Sequence, residues 1–203
     1  MLIIQKVIFA LQKTDPMKKM LCTVLLAFVS LLAAAQNKNL PPIDKSPMDM
    51  CYYPANYPVL KIQEKNTEPV AARVIYSRPA KNNRVVFGEL IEYGSIWRLG
   101  ANEATELELF RDARVGNLRL KKGKYTLYAI PTEKTWTIIF NRDLDTWGAF
   151  KYDQKKDAGR ISVPVEKTSD STEYFTMFFE KTSGGAGLQI LWDNYKATVP
   201  FQF

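Results

Sequence analysis

The chain has 203 residues, 46% of them hydrophobic and 12% aromatic, which is material for one packed domain and not a disordered composition. It contains 0 histidines. That excludes a Ser-His-Asp triad, a Cys-His pair and a histidine base, together with the usual zinc and iron sites, so a metal would need oxygen ligands. The net charge of +7 is scattered, with no run denser than Lys121-Lys122-Gly123-Lys124, which reads as a solvated turn and not as a nucleic-acid footprint.

Residues 1–35 read as a targeting segment. Lys18-Lys19 after Met17 is a basic start, 21–32 is an apolar run too short to span a membrane, and Ala33-Ala34-Ala35 supplies the small residues a signal peptidase needs. Cleavage is expected after Ala35. Residues 1–16 carry no such logic and read as an over-called start, with the true start near Met17. The product is expected in the periplasm or outside the cell, without stable membrane insertion. Four lysines and one aspartate leave with the segment, so the processed protein is less basic than its pI of 9.3. It keeps one cysteine, Cys51, hence no internal disulfide. With no histidine to activate it, Cys51 reads as a buried or half-buried thiol.

Residues 36–58 read as a leader. Pro41, Pro42, Pro47, Pro54 and Pro58 fix φ and remove ladder donors, so this stretch is expected to be extended and outside any sheet. A single domain is expected from 59 to 203, and its period is two. Leu107 and Leu109 alternate with Glu106 and Glu108. Ile161, Val163 and Val165 alternate with Ser162, Pro164 and Glu166. Leu188, Ile190 and Trp192 face one way against Gln189, and Ala197, Val199, Phe201 and Phe203 alternate with Lys196, Thr198 and Gln202. Strands covered on both faces are expected at 70–77, 124–130, 135–140 and 172–181. Turn signals at Gly116-Asn117, Lys122-Gly123, Pro131-Thr132-Glu133, Gly184-Gly185 and Asp193-Asn194 separate them. Only 84–91 suggests a short helix. The expected class is all-β: a two-sheet antiparallel β-sandwich, jelly-roll-like, with about eight strands and at most one short helix.

Two stretches break the alternation, 87–105 and 141–157, and long loops on a rigid scaffold are where binding residues sit. The first carries Trp97, Arg98, Asn102 and Glu103. The second carries Asp145, Trp147, Lys151 and Tyr152, with Phe150 among them. These residues, with Arg78, are the candidate ligand-binding set. The two loops are expected to meet at one end of the domain. In one reading Trp97 and Trp147 form the apolar walls of a pocket, and Arg98, Asn102, Glu103 and Asp145 supply its polar groups. In the other the first loop is a packed corner, with Trp97 in the core and Arg98 paired to Glu103. Asn141, Asp143 and Asp145 have the spacing of a calcium loop, but Thr146 replaces its glycine and Tyr152 its bidentate glutamate, so no metal and no cofactor is expected. Glu103, Glu106 and Glu108 raise a glycosidase carboxylate pair, against the plainer reading of a wet strand face.

The pieces YSRP (76–79), FGELIEYGSIWRLGANEAT (87–105), GKYTLYAIP (123–131), WTIIFN (136–141) and DTWGAFKYD (145–153) together resemble a bacterial family, domain of unknown function 2911. The resemblance runs from about residue 46 to 203. It implies an exported product of a Gram-negative bacterium and brings no activity with it. The expected function is a non-catalytic envelope protein that binds a small-molecule ligand or a partner through the two loops, with a glycan or a carboxylate as ligand. The alternatives are a carboxylate-dependent glycan hydrolase and a structural or assembly component of the envelope.

Overall fold

The alternating segments become nine strands. In chain order these are β1 (Met48–Tyr53), β2 (Ala72–Ser77), β3 (Thr105–Leu109), β4 (Ala113–Val115), β5 (Leu118–Leu120), β6 (Gly123–Pro131), β7 (Thr135–Asn141), β8 (Asp157–Thr182) and β9 (Gly185–Gln202). A short helix α1 (Tyr57–Ile62) follows β1, and a 3-10 turn (Gln154–Lys156) precedes β8. This computed structural model describes residues 15–17, 20, 23–24, 41–65 and 68–203. Lys18, Lys19, most of the apolar run 21–32 and Ala33 to Ala35 lie outside the described residues. Among the described residues no helix is long and apolar enough to cross a membrane.

Every strand pairing is antiparallel. The strands join in one nine-stranded order, β1-β2-β3-β6-β7-β8-β9-β4-β5, where the sequence led to two sheets of about eight strands. β8 makes the connection: residues 157–164 pair with β7, and later residues pair with β9. The register follows the alternation. Val74, Leu107 and Tyr125 lie side by side and are buried, while Arg73, Glu108 and Lys124 line up on the other face. There Arg73 pairs with Glu108, and Lys124 with Glu106 at 3.1 Å.

Three expectations need correction. The Pro-rich segment is extended, but its residues 48–53 enter the sheet as edge strand β1, paired along their whole length with β2. An edge strand bonds on one side only, so the neighbouring prolines cost it nothing. Residues 84–91 form turns and a Phe87↔Ile91 bridge, with Gly88 at φ 98, and no helix. The helix stands instead at α1, where Pro58 presets the φ of its first turn. The strands expected at 160–166 and 172–181 belong to one element, β8. Those at 187–193 and 196–203 belong to another, β9, although β9 turns back on itself: Thr198 Oγ1 donates to Gln189 Oε1 at 2.7 Å, and a Cβ on Gly185 would stand 2.2 Å from the Phe201 carbonyl oxygen. Asp193, at φ 54, lies at that reversal.

The core is aromatic. Trp97 stacks on Trp192 at 5.9 Å and meets Trp136 edge to face at 5.8 Å, with Phe87 and Phe175 against them. Tyr76 of β2 touches Phe175 of β8, Tyr53 of β1 touches Phe179 of β8, and Phe140 of β7 touches Phe201 of β9. β1 and β2, at one end of the order, therefore pack across the core on the later half of β8. Each aromatic pair is worth about 0.5–1.5 kcal/mol beyond its buried area. Cys51 is half-buried and free; burial, then the charge of Asp49, pushes its thiol up to about 12, so it is no nucleophile at neutral pH.

Candidate functional site

The first irregular stretch is pinned from below. Trp97 exchanges backbone hydrogen bonds with Ala129 of β6, both at 2.8 Å, which turns its indole into the core. It is 3% exposed, and its Nε1 donates to the Gly100 carbonyl. Gly100 must be glycine: at φ 152, a Cβ would stand 2.8 Å from Ser77 Oγ and 3.2 Å from the Ser77 carbonyl. Ser77 Oγ both accepts from Ala101 N–H and donates to Ala101 O. Leu99 and Asn102 take φ of 52 and 58, and Thr105 Oγ1 donates to the Leu99 carbonyl. The stretch is a tight corner that fits β3 onto β2 and β6.

The second stretch closes on a buried amide. Asn141, 1% exposed at the end of β7, donates to Asp153 O and to Asp157 Oδ1 and accepts from Asp143 N–H. Tyr152 Oη donates to Asp157 Oδ2 at 2.8 Å, and Arg160 reaches both Asp157 and Tyr152. Burial and then the Asp157 carboxylate push the Tyr152 phenol up to about 12, so it stays a donor. These bonds tie the two ends of the loop together.

The loops meet. Glu103 and Trp147 form an antiparallel bridge, Ala104 N–H donates to Thr146 O at 3.0 Å, and Gly148 N–H donates to Asn102 O at 2.9 Å. Beside this junction is a cavity of about 420 Å³, lined by Tyr128, Asp143, Asp145, Thr146, Trp147, Gly148, Phe150 and Lys151. Trp147 is 61% exposed and Phe150 is 83% exposed. Gly148, at φ 67, lets the Phe150 ring lie against the backbone, since a Cβ there would be 2.6 Å from it. Tyr128 of β6 forms the floor and bonds Thr146 Oγ1. Among the described residues Asp145 and Lys151 make no hydrogen bond or ion pair, so one carboxylate and one ammonium stand free beside two wet aromatic rings.

Of the candidate residues, Asp145, Trp147 and Lys151 line this cavity. The others stand elsewhere. Trp97 belongs to the core and is no pocket wall. Arg98 makes no ion pair with Glu103; its Nε is buried without a partner, and burial lowers its pKa below the ordinary arginine value. Asn102 spends its side chain on Asp44 at 2.9 Å, and Glu103 is exposed at the junction. Tyr152 belongs to the latch. Arg78 bonds through all three nitrogens, to Asp49 at 2.9 Å, Thr176 Oγ1 and the Phe175 carbonyl, and ties β1 to β8. Of the calcium-like trio, Asn141 is consumed by the latch and Asp143 pairs with Lys156 at 2.8 Å. Sequence reasoning missed Tyr128 and Gly148. Tyr128 reads as one more residue of a covered strand, and nothing in its local pattern announces the loop above it.

No curated protein and no solved structure matches the chain. A family model described as "Protein of unknown function (DUF2911)" matches residues 59–201, which takes in β2 to β8, all but the last residue of β9, and all of both irregular stretches. The chain belongs to the DUF2911 family.

Proposed function

We propose that this protein is an exported, non-catalytic binding protein whose site is the cavity under Trp147 and Phe150, and that its ligand is a glycan. The observation that carries this reading is a pair of exposed aromatic rings beside an open cavity with a free carboxylate and a free ammonium. A sugar ring offers a C–H face to an aromatic face and hydroxyls to both charges. Apolar walls with a few convergent polar groups are what small ligands bury against. Keeping two large rings wet costs solvation, which a monomer rarely tolerates without a use. A hydrolase finds less support: Glu106 and Glu108 are held by Lys124 and Arg73, and Asp143 by Lys156, so each of these carboxylates is already paired with a cation.

Titration calorimetry of the full chain against neutral and acidic oligosaccharides tests this. Binding is expected to weaken about tenfold or more in Trp147→Ala and Phe150→Ala while melting stays unchanged. Glycans that bind equally well to both variants, or none that bind, would overturn the reading. Export is read separately from the mass of the processed N-terminus, expected at Gln36.

A further inference from the structure

β8 and β9 pair at Val165↔Ala197, Glu166↔Lys196 and Lys167↔Tyr195, and then part. Continued, that register would set Pro164 opposite Thr198 and Ser162 opposite Pro200. The backbone explains why it stops. Val165 N–H donates to Lys134 O at 2.9 Å, on the β7 side. Successive residues of a strand turn their amide and carbonyl to opposite edges, so those of Ser162 and Pro164 face away from β7, toward β9. Each of the next two hydrogen-bonded pairs would then contain one proline. Proline has no N–H, so each of these two pairs could keep only one of its two hydrogen bonds, and the ladder weakens at both rungs. β8 stays with β7, at Ile161↔Ile138, while β9 ends on β4, at Phe201↔Val115.

Between the parted edges lies a cleft of about 640 Å³. Its walls are residues 160–164 of β8 and Thr198 and Pro200 of β9, completed by the β4–β5 turn at Gly116, Asn117 and Leu118. Leu118 seats that turn on β8: a Cβ at Gly159 would be 2.3 Å from its Cδ1. Among the described residues the β8–β9 register stops at Val165↔Ala197, so neither Ser162 nor Thr198 has a ladder partner across the cleft. Five residues of extended chain run about 16 Å, and a strand inside a stacked sheet occupies about 4.8 by 10 Å in section. The product, about 770 Å³, is of the same order as the cleft's 640 Å³.

We infer that this cleft accepts a strand: an extended, proline-free segment of a partner polypeptide adds to the unpaired edge of β8, with Ser162 as its central rung and Thr198 on the opposite wall of the cleft. Main-chain hydrogen bonds supply the affinity of such additions, and alternate side chains supply the specificity. One face of the added strand meets Leu118 and Val163, so the segment alternates apolar with polar residues. This site is separate from the glycan cavity and does not depend on it.

The test uses the full chain and a panel of end-blocked heptapeptides alternating Val, Leu or Phe with Thr between terminal lysines. Each is compared with a copy N-methylated at alternate residues, which keeps the side chains and loses the donors. A plain peptide is expected to slow hydrogen exchange at Ser162 and Thr198 about tenfold, and its methylated copy to leave both unchanged. Ser162→Pro removes one rung while sparing those to β7. It is expected to weaken peptide binding about tenfold, its melting being followed alongside. The inference is overturned if no plain peptide protects these amides, if methylated copies protect them equally, or if the free chain already protects them by self-association.

Discussion

Residues 97–105 and 141–157 look alike in sequence: each leaves the strand pattern and sets a tryptophan among charges. In the fold they are opposites. Trp97 takes two backbone hydrogen bonds from β6 and sinks to 3% exposure, while Trp147 bridges only another loop and keeps 61%. Residue type does not separate them. The partner backbone does: an indole on a residue zipped to a central strand points where that strand's side chains point, and at Ala129 that is the core. An indole on a loop bridged to a loop has no core beneath it.

Mutation of the two tryptophans should break the resemblance most sharply. Trp97→Ala removes a side chain packed on Trp136, Trp192, Phe87 and Phe175, and is expected to cost about 3–5 kcal/mol in denaturant unfolding. The loops also differ in what holds them. Asn141→Ala orphans the Asp157 carboxylate oxygen and the Asp153 carbonyl, and should cost about 1–3 kcal/mol. It should also lower exchange protection in 142–156 more than at Trp97.

A pH scan sharpens the contrast further, because only the second loop carries a phenol in its latch. The Tyr152 phenol sits at about 12 in the fold against an ordinary 10.0, so the closed loop keeps a proton that the open loop releases. The latch is therefore complete below pH 10 and weakens as pH rises toward 12. The Trp147 indole signal by NMR should shift through that window, and Tyr152→Phe should remove the Asp157-linked part of the shift. Trp97 signals should not follow it. The smallest effect on stability is expected at the exposed ring: Trp147→Ala should change unfolding free energy by about 0.5 kcal/mol or less.

Much of the fold was legible because alternation is local. Leu107 and Leu109 against Glu106 and Glu108 place β3 within the residues that form it, and Gly116-Asn117 marks the turn between β4 and β5. Those two strands went unread because three residues each are too short for a period to show. The candidate site was legible as two loops and three of its lining residues, Asp145, Trp147 and Lys151. Arg98, Asn102 and Arg78 share the composition of ligand-binding residues. Arg78 and Asn102 instead meet partners as distant as Thr176 and Asp44, which no local window contains.

The sequence alone determined the all-β class, the places where strand order breaks, and membership in a family, since each depends on residue types at fixed short spacing. The tertiary structure alone decided which tryptophan stays wet, that residues 48–53 close one edge of the sheet, and that the β8–β9 register stops at Val165↔Ala197, beside Pro164. The physical reason is that burial and hydrogen-bond satisfaction belong to pairs of segments. Pro164 and Pro200 are two ordinary prolines until β8 and β9 are laid side by side, and only then do they line one cleft.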